Sequence, residues 1–165
     1  ISPDGVTLAH YNKIHLFKFN DGSQRYDESE ILLDGDNVVS CDILDFKFGL
    51  AICYDLRFPE LFRALGVVDV IVLPSAFTYQ TGLAHWELLI RARAVENQCY
   101  FLGVNQGGEH ETGRKTYGHS MLVDPWGEVV ISAAEGEKII YAIIDSGRIK
   151  DIRTKLPALE HRRIS

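Results

Sequence analysis

Cys53 is the residue of this sequence with the most chemistry to offer. It closes the apolar run Phe48-Gly-Leu-Ala-Ile-Cys53 and is followed by Tyr54-Asp55-Leu56-Arg57-Phe58-Pro59. A nucleophile at a sharp strand-to-helix turn is lifted above the sheet edge, where neighbouring backbone N–H groups can hold a developing oxyanion. The start of a helix also favours a thiolate over a thiol. Position alone leaves a second reading open, an apolar cysteine packed in the core. Cys41 and Cys99, both mid-strand, fit that second reading better.

A cysteine nucleophile usually has a histidine partner, and the chain has six histidines. His15, His85 and His119 fall near expected element ends, so a Cys–His site stays open on position. His10 reads as an exposed strand residue, and His110 and His161 lie in charged, loop-like segments. None has the helical spacing or cysteine neighbours of a metal site, so no metal or cofactor is expected. No G-x-S-x-G elbow or Gly-rich phosphate loop is present, and Gly107-Gly108 alone is a turn. Asp55, Arg57 and Glu60 are expected to brace the elbow as carboxylate–guanidinium pairs.

The elements that must position Cys53 alternate along the chain. After the turn Ser2-Pro3-Asp4-Gly5, residues 6–11 read as a strand and residues 19–36 as a long polar excursion. Residues 38–44 and 47–53 read as two strands, the second apolar enough to be buried on both faces. Pro59 opens a short helix carrying Leu61, Phe62 and Leu65, which Gly66 ends. A second buried strand covers residues 67–73 and is expected to stop at Pro74. Residues 84–97 place Trp86, Leu89, Ile90, Ala94 and Val95 at helical spacing, and residues 98–104 form a third strand. Residues 119–123 and 128–132 then read as a hairpin about Pro125-Trp126-Gly127, followed by a strand over residues 138–144. This order implies an α/β layered domain. Phe77, Thr78 and Tyr79 follow a strand at the sheet's carboxyl end, where such sheets bind ligands, and are expected to wall the pocket.

Composition excludes several partners. The 17 Lys and Arg against 23 Asp and Glu give a net charge of −6, which argues against a nucleic-acid partner. The longest apolar stretch, residues 67–76, carries Asp69 and falls far short of the ~20 residues of a membrane span. The three cysteines make no complete disulfide framework, which points to a reducing, cytoplasmic setting. The chain opens with Ile1 rather than Met and already reads like mid-sheet sequence, so it is expected to be the C-terminal part of a longer protein.

Four segments in order then decide between the readings. Tyr11-Asn-Lys13-Ile-His-Leu-Phe17, Gly49-Leu-Ala-Ile-Cys53-Tyr-Asp-Leu-Arg-Phe-Pro-Glu-Leu61, His85-Trp-Glu-Leu-Leu-Ile-Arg-Ala-Arg-Ala-Val-Glu-Asn97, and Tyr117-Gly-His-Ser120 with Asp124-Pro-Trp-Gly127 together resemble the carbon–nitrogen hydrolase (nitrilase) superfamily. Within it they resemble most the Nit-type amidases and ω-amidases, from about Ser2 to the end. The resemblance implies the nitrilase α-β-β-α sandwich. Residues 1–165 would supply most of one half plus the C-terminal strands.

The resemblance also implies a Glu–Lys–Cys triad in place of Cys–His. Its cysteine falls on Cys53 and its lysine on Lys13, with the backbone N–H of Tyr54 as oxyanion donor. A supporting glutamate aligns with Glu28 by its surroundings, and the general-base glutamate would precede Ser2. His119 belongs to the family motif, and reads equally as a hydrogen-bonded structural histidine. The implied activity is ammonia release from the ω-amide of a small dicarboxylic acid through a thioester. The alternatives are N-carbamoyl or other amide hydrolysis within the superfamily, or a non-catalytic interaction subunit. The resemblance further implies a homodimer paired across the two helices that follow the active-site strands, with Leu61, Phe62, Leu65, Trp86, Ile90, Arg91 and Arg93 on them.

Overall fold

Three apolar runs become the parallel centre of one sheet, and everything around the site hangs from their carboxyl ends. The computed structural model describes residues 1–20, 22, 25–111 and 113–164. Its strands are β1 (Lys18–Asn20), β2 (Arg25–Asp27), β3 (Ser40–Ile43), β4 (Phe46–Leu50), β5 (Val70–Ser75), β6 (Tyr100–Asn105), β7 (Gly107–Glu109), β8 (Lys115–Tyr117), β9 (Met121–Val123) and β10 (Val129–Ser132). Its α-helices are α1 (Pro59–Ala64), α2 (Tyr79–Asn97) and α3 (Ser146–Lys155). The main sheet has the order β10-β9-β6-β5-β4-β3, with β4, β5 and β6 parallel and the outer pairs antiparallel. The pairs β1–β2 and β7–β8 are separate antiparallel hairpins.

One sheet face is sealed by α1 and α2. Leu61, Phe62 and Leu65 meet Trp86, Ile90 and Ala94 over Ile71, Leu73 and Phe101, all buried. Contact is close enough that side chains must be absent in places. A Cβ on Gly103 would lie 2.5 Å from Ile90 and 2.7 Å from Trp86. The opposite face is closed at one end, where Ile149 of α3 covers Val70, Tyr100 and Leu122. Towards the carboxyl ends of the strands that face opens. Val72 and Leu102 are half-buried, and Pro74 and Val104 are exposed. The result is an α/β layered domain, with α1 and α2 on one sheet face and α3 over one end of the other.

Several elements differ from the sequence expectation. Residues 6–11 pair with no strand among the described residues, and Val6 and Leu8 are exposed. Their alternation marks a segment tethered by Tyr11 rather than a ladder. The polar excursion over residues 19–36 contains β1, β2 and a 3-10 turn at Glu28–Glu30, although Asp21, Ser23 and Gln24 lie outside the described residues. Pro74 does not stop β5. The carbonyl of Val72 accepts from Ala51, so the alternate residue Pro74 faces the β4 side after β4 has ended at Leu50. No ladder bond is lost there. Residues 138–144 form no strand, and Ile139, Tyr141 and Ile143 lie outside with no neighbouring strand among the described residues. Helix α3 escaped expectation because it is polar apart from Ile149 and Ile152, which are buried. Its start is set by the Asp145 side chain, which accepts from the Gly147 N–H at 2.8 Å.

Candidate active site

Cys53 follows β4 by a short step and opens a 3-10 turn, Cys53–Arg57, that leads into α1. Its φ of 49° is left-handed, a conformation a non-glycine residue keeps only where its surroundings impose it. The first hydrogen bond of the turn runs from the Asp55 N–H to the Ile52 carbonyl. The N–H groups of Cys53 and Tyr54 precede it and have no acceptor within the turn. The sulfur borders a cavity of about 440 Å³ at the carboxyl ends of β4 and β5. Burial pushes the thiol above its ordinary value, outweighing the Ala76 backbone, Lys13 and Arg114, which favour the thiolate. The expectation that the turn alone would lower it does not hold. Burial thus works against the thiolate, and a neighbouring base would offset it.

Lys13 reaches the same cavity from 40 residues upstream. Its side chain is only 10% exposed and pairs with Glu28. Glu28 also accepts the Phe17 N–H at 2.7 Å, while its own N–H donates to the Phe17 carbonyl at 3.0 Å. The Gly35 N–H donates to the Lys13 carbonyl at 2.8 Å, closing the loop over the pair. Lys13, Glu28 and Cys53, from three separate segments, therefore share one cavity.

Asp55 joins the lysine segment to the cysteine turn. Fully buried, it accepts the Tyr11 hydroxyl at 2.7 Å, the His15 N–H at 3.0 Å and the Ile52 N–H at 2.9 Å, with His15 Nδ1 at 2.8 Å. Burial and this carboxylate hold the Tyr11 phenol protonated, far above its usual range. The expected pairing of Asp55 with Arg57 is thus replaced by a clamp between the lysine segment and the cysteine turn. Arg57 instead lies over the rings of Tyr54 and Phe77 and meets His85 Nδ1 at 3.3 Å. An Asp55→Asn variant is expected to lose about 1–3 kcal/mol of stability, because a buried donor is left without its acceptor. Alkylation of the Cys53 thiol should also slow, because a loosened Lys13 favours the thiolate less. Urea melts and the rate of Cys53 alkylation by iodoacetamide measure both, and a wild-type alkylation rate would show that the clamp does not position Lys13.

The remaining expected wall residues divide. Tyr54, Phe77 and Thr78 line the cavity. Tyr79 is not among its lining residues. It belongs to the first turn of α2, which begins five residues earlier than its spacing suggests, and packs edge-on against Tyr117 under Lys115. Gly82 permits that early start, since a Cβ there would lie 2.3 Å from Tyr117. His119 has φ 59°, stacks on Tyr117 and presents its carbonyl to Trp86 Nε1 at 2.8 Å, a structural setting. Sequence reasoning missed Ala76 and Arg114. Ala76 stands directly before Phe77 at the carboxyl end of β5, a position that could have found it, whereas Arg114 arrives through tertiary contacts that leave no local signal. Among the described residues, no group of three His, Cys, Asp or Glu side chains is placed to hold a metal ion.

Residues 1–154 match the carbon–nitrogen hydrolase family. The chain is 47% identical over 168 residues to the nitrilase and fragile histidine triad fusion protein NitFhit of Caenorhabditis elegans, covering 99% of this chain and 38% of that protein. The crystal structure of NitFhit superposes with a TM-score of 0.89 over 97% of this chain and 40% of that one. It is 43% identical to a deaminated glutathione amidase of Synechocystis, covering 98% of this chain and 61% of that protein. It is 42% identical to omega-amidase NIT2 of Mus musculus, covering 98% and 59% respectively. The chain thus spans between 38% and 61% of the length of these relatives.

Proposed function

The chain belongs to the carbon–nitrogen hydrolase family, and from that premise we propose that it carries the nucleophile of a cysteine amidohydrolase acting on small, non-peptide amides. The observation that carries this reading is the meeting of Cys53, Lys13 and Glu28 on one cavity. In the proposed reaction a base takes the Cys53 proton and the thiolate attacks the amide carbonyl. The Lys13 ammonium and the Tyr54 N–H receive the oxyanion. The base returns its proton to the departing ammonia, leaving a thioester. It then takes a proton from water, whose oxygen attacks the thioester to release the acid and the thiol.

The base itself is proposed to lie outside these 165 residues. Glu28, the one carboxylate among the cavity's described lining residues, is held by Lys13 and Phe17. The curated relatives are longer, and the sheet face left open at Pro74 and Val104 is where further chain would pack. The substrate proposed is an ω-amide of a small dicarboxylic acid, in keeping with relatives named deaminated glutathione amidase and omega-amidase. Ammonia release by the whole protein from a panel of ω-amides and N-carbamoyl amino acids tests this. Turnover confined to the carbamoyl compounds would overturn the substrate class. A cytoplasmic setting is part of the proposal, since all three cysteines are unpaired. No helix among the described residues is long and apolar enough to cross a membrane.

Two copies are proposed to pair across the outer faces of α1 and α2. Leu61, Phe62, Leu65, Trp86 and Ile90 cannot make that contact, because all five are buried in the core. Arg93 is buried too, with its Nε donating to the Leu56 carbonyl at 3.0 Å. The outer surface of α2 instead offers Leu83 and Leu88, 65% and 66% exposed. A Leu88→Asp variant of the whole protein is expected to halve the mass seen by light scattering. An unchanged dimer mass, or a monomeric wild type, would refute this contact.

A further inference from the structure

Resting on the amidohydrolase reading, we propose that Arg114, carried on the β7–β8 hairpin, receives the carboxylate of an acidic amide substrate bound in the Cys53 cavity. The lining charges do not balance. Lys13, Arg57 and Arg114 face a single carboxylate, Glu28, which is already paired with Lys13. Neither arginine makes an ion pair with a carboxylate among the described residues. This cationic lining stands against the net charge of −6 of the whole chain, so it is a local feature of the cavity. Even a further carboxylate serving as general base would leave one guanidinium uncompensated.

Arg114 is the better receiver of the two. Arg57 is spread over the rings of Tyr54 and Phe77, at 5.9 and 5.5 Å, and these share its charge. Arg114 lies over the Tyr26 ring at 5.3 Å, and its Nη2 donates to the Ala76 carbonyl at 2.9 Å. Its Nε is buried without an acceptor. The hairpin that carries it is clamped to the cavity wall. The Tyr117 N–H donates to the Phe77 carbonyl at 3.0 Å, and Thr116 bridges Thr78. A guanidinium held this way is ordered before the substrate arrives, so a charge-assisted hydrogen bond to it carries little ordering cost. It fits a short molecule with an amide at one end and a carboxylate at the other.

The test uses the whole protein with glutaramate, and with pentanamide as its uncharged counterpart. In Arg114→Met, the ratio of kcat/KM for glutaramate over pentanamide should fall about 10- to 100-fold, the loss of one charge-assisted hydrogen bond. Arg114→Lys should recover part of it. A ratio that does not move would overturn the proposal. If the wild type releases ammonia from neither amide, the hydrolase reading fails, and alkylation of Cys53 then decides the role of Arg114 separately. The Cys53 thiolate displaces iodide from iodoacetate or iodoacetamide, forming a carbon–sulfur bond as the thiol proton and iodide pass to solvent, and peptide mass spectrometry follows both. The rate ratio of the anionic to the neutral reagent should drop about 10-fold in Arg114→Met. An unchanged ratio would overturn the arginine's role as an anion receiver.

Discussion

A Cys53→Ala variant of the whole protein is expected to lose ammonia release by about 10⁴-fold or more, the scale seen when a covalent nucleophile is removed from a catalytic unit. The fold should stay. Cys53 lines a cavity rather than filling the core, and alanine accepts the same left-handed backbone as cysteine, so stability should change by no more than about 1 kcal/mol. Cys99 is fully buried and its thiol is pushed up to about 12, so Cys99→Ala should lower stability and spare turnover. Normal turnover in Cys53→Ala would end the cysteine-hydrolase reading.

Lys13→Met should cost kcat at least ~10²-fold, the usual price of one oxyanion donor. The effect has a second part. The ammonium favours the thiolate, whereas Glu28 opposes it. Without Lys13 the thiol, already raised by burial, rises further, and the pH profile of Cys53 alkylation should move to higher pH. Lys13→Arg should not restore kcat, because a planar fork cannot occupy a site built around a point charge paired with Glu28. An arginine variant with near-native kcat, or an unmoved alkylation profile in Lys13→Met, would contradict the role given to Lys13.

The parts of this site that could be read in the sequence are those whose causes are local. Cys53 was legible because an apolar strand, a turn and Pro59 follow one another within a few residues. Lys13 and Glu28 have no such signature and were reached only through family resemblance. Their own ion pair unites them, and the buried Asp55, bonded to Tyr11 and His15 from 44 and 40 residues away, ties the Lys13 segment to Cys53. Arg114 stayed hidden because it comes to the cavity on a hairpin docked against Phe77 and Thr78. Local rules cut an element short at two other places. Proline implied an end to β5, but it sits where the neighbouring strand has already stopped. Apolar spacing implied a start of α2 at residue 84, but the helix begins at Tyr79, with Gly82 packed against Tyr117.

In this mechanism the acyl group passes through Cys53. Rapid quenching of the whole protein during turnover of an ω-amide, followed by peptide mass spectrometry, tests it most directly. An acyl adduct is expected on the peptide that contains Cys53, absent from Cys53→Ala, with loss of ammonia release in step with alkylation of Cys53. An adduct on another residue, or full turnover after complete alkylation of Cys53, would contradict it.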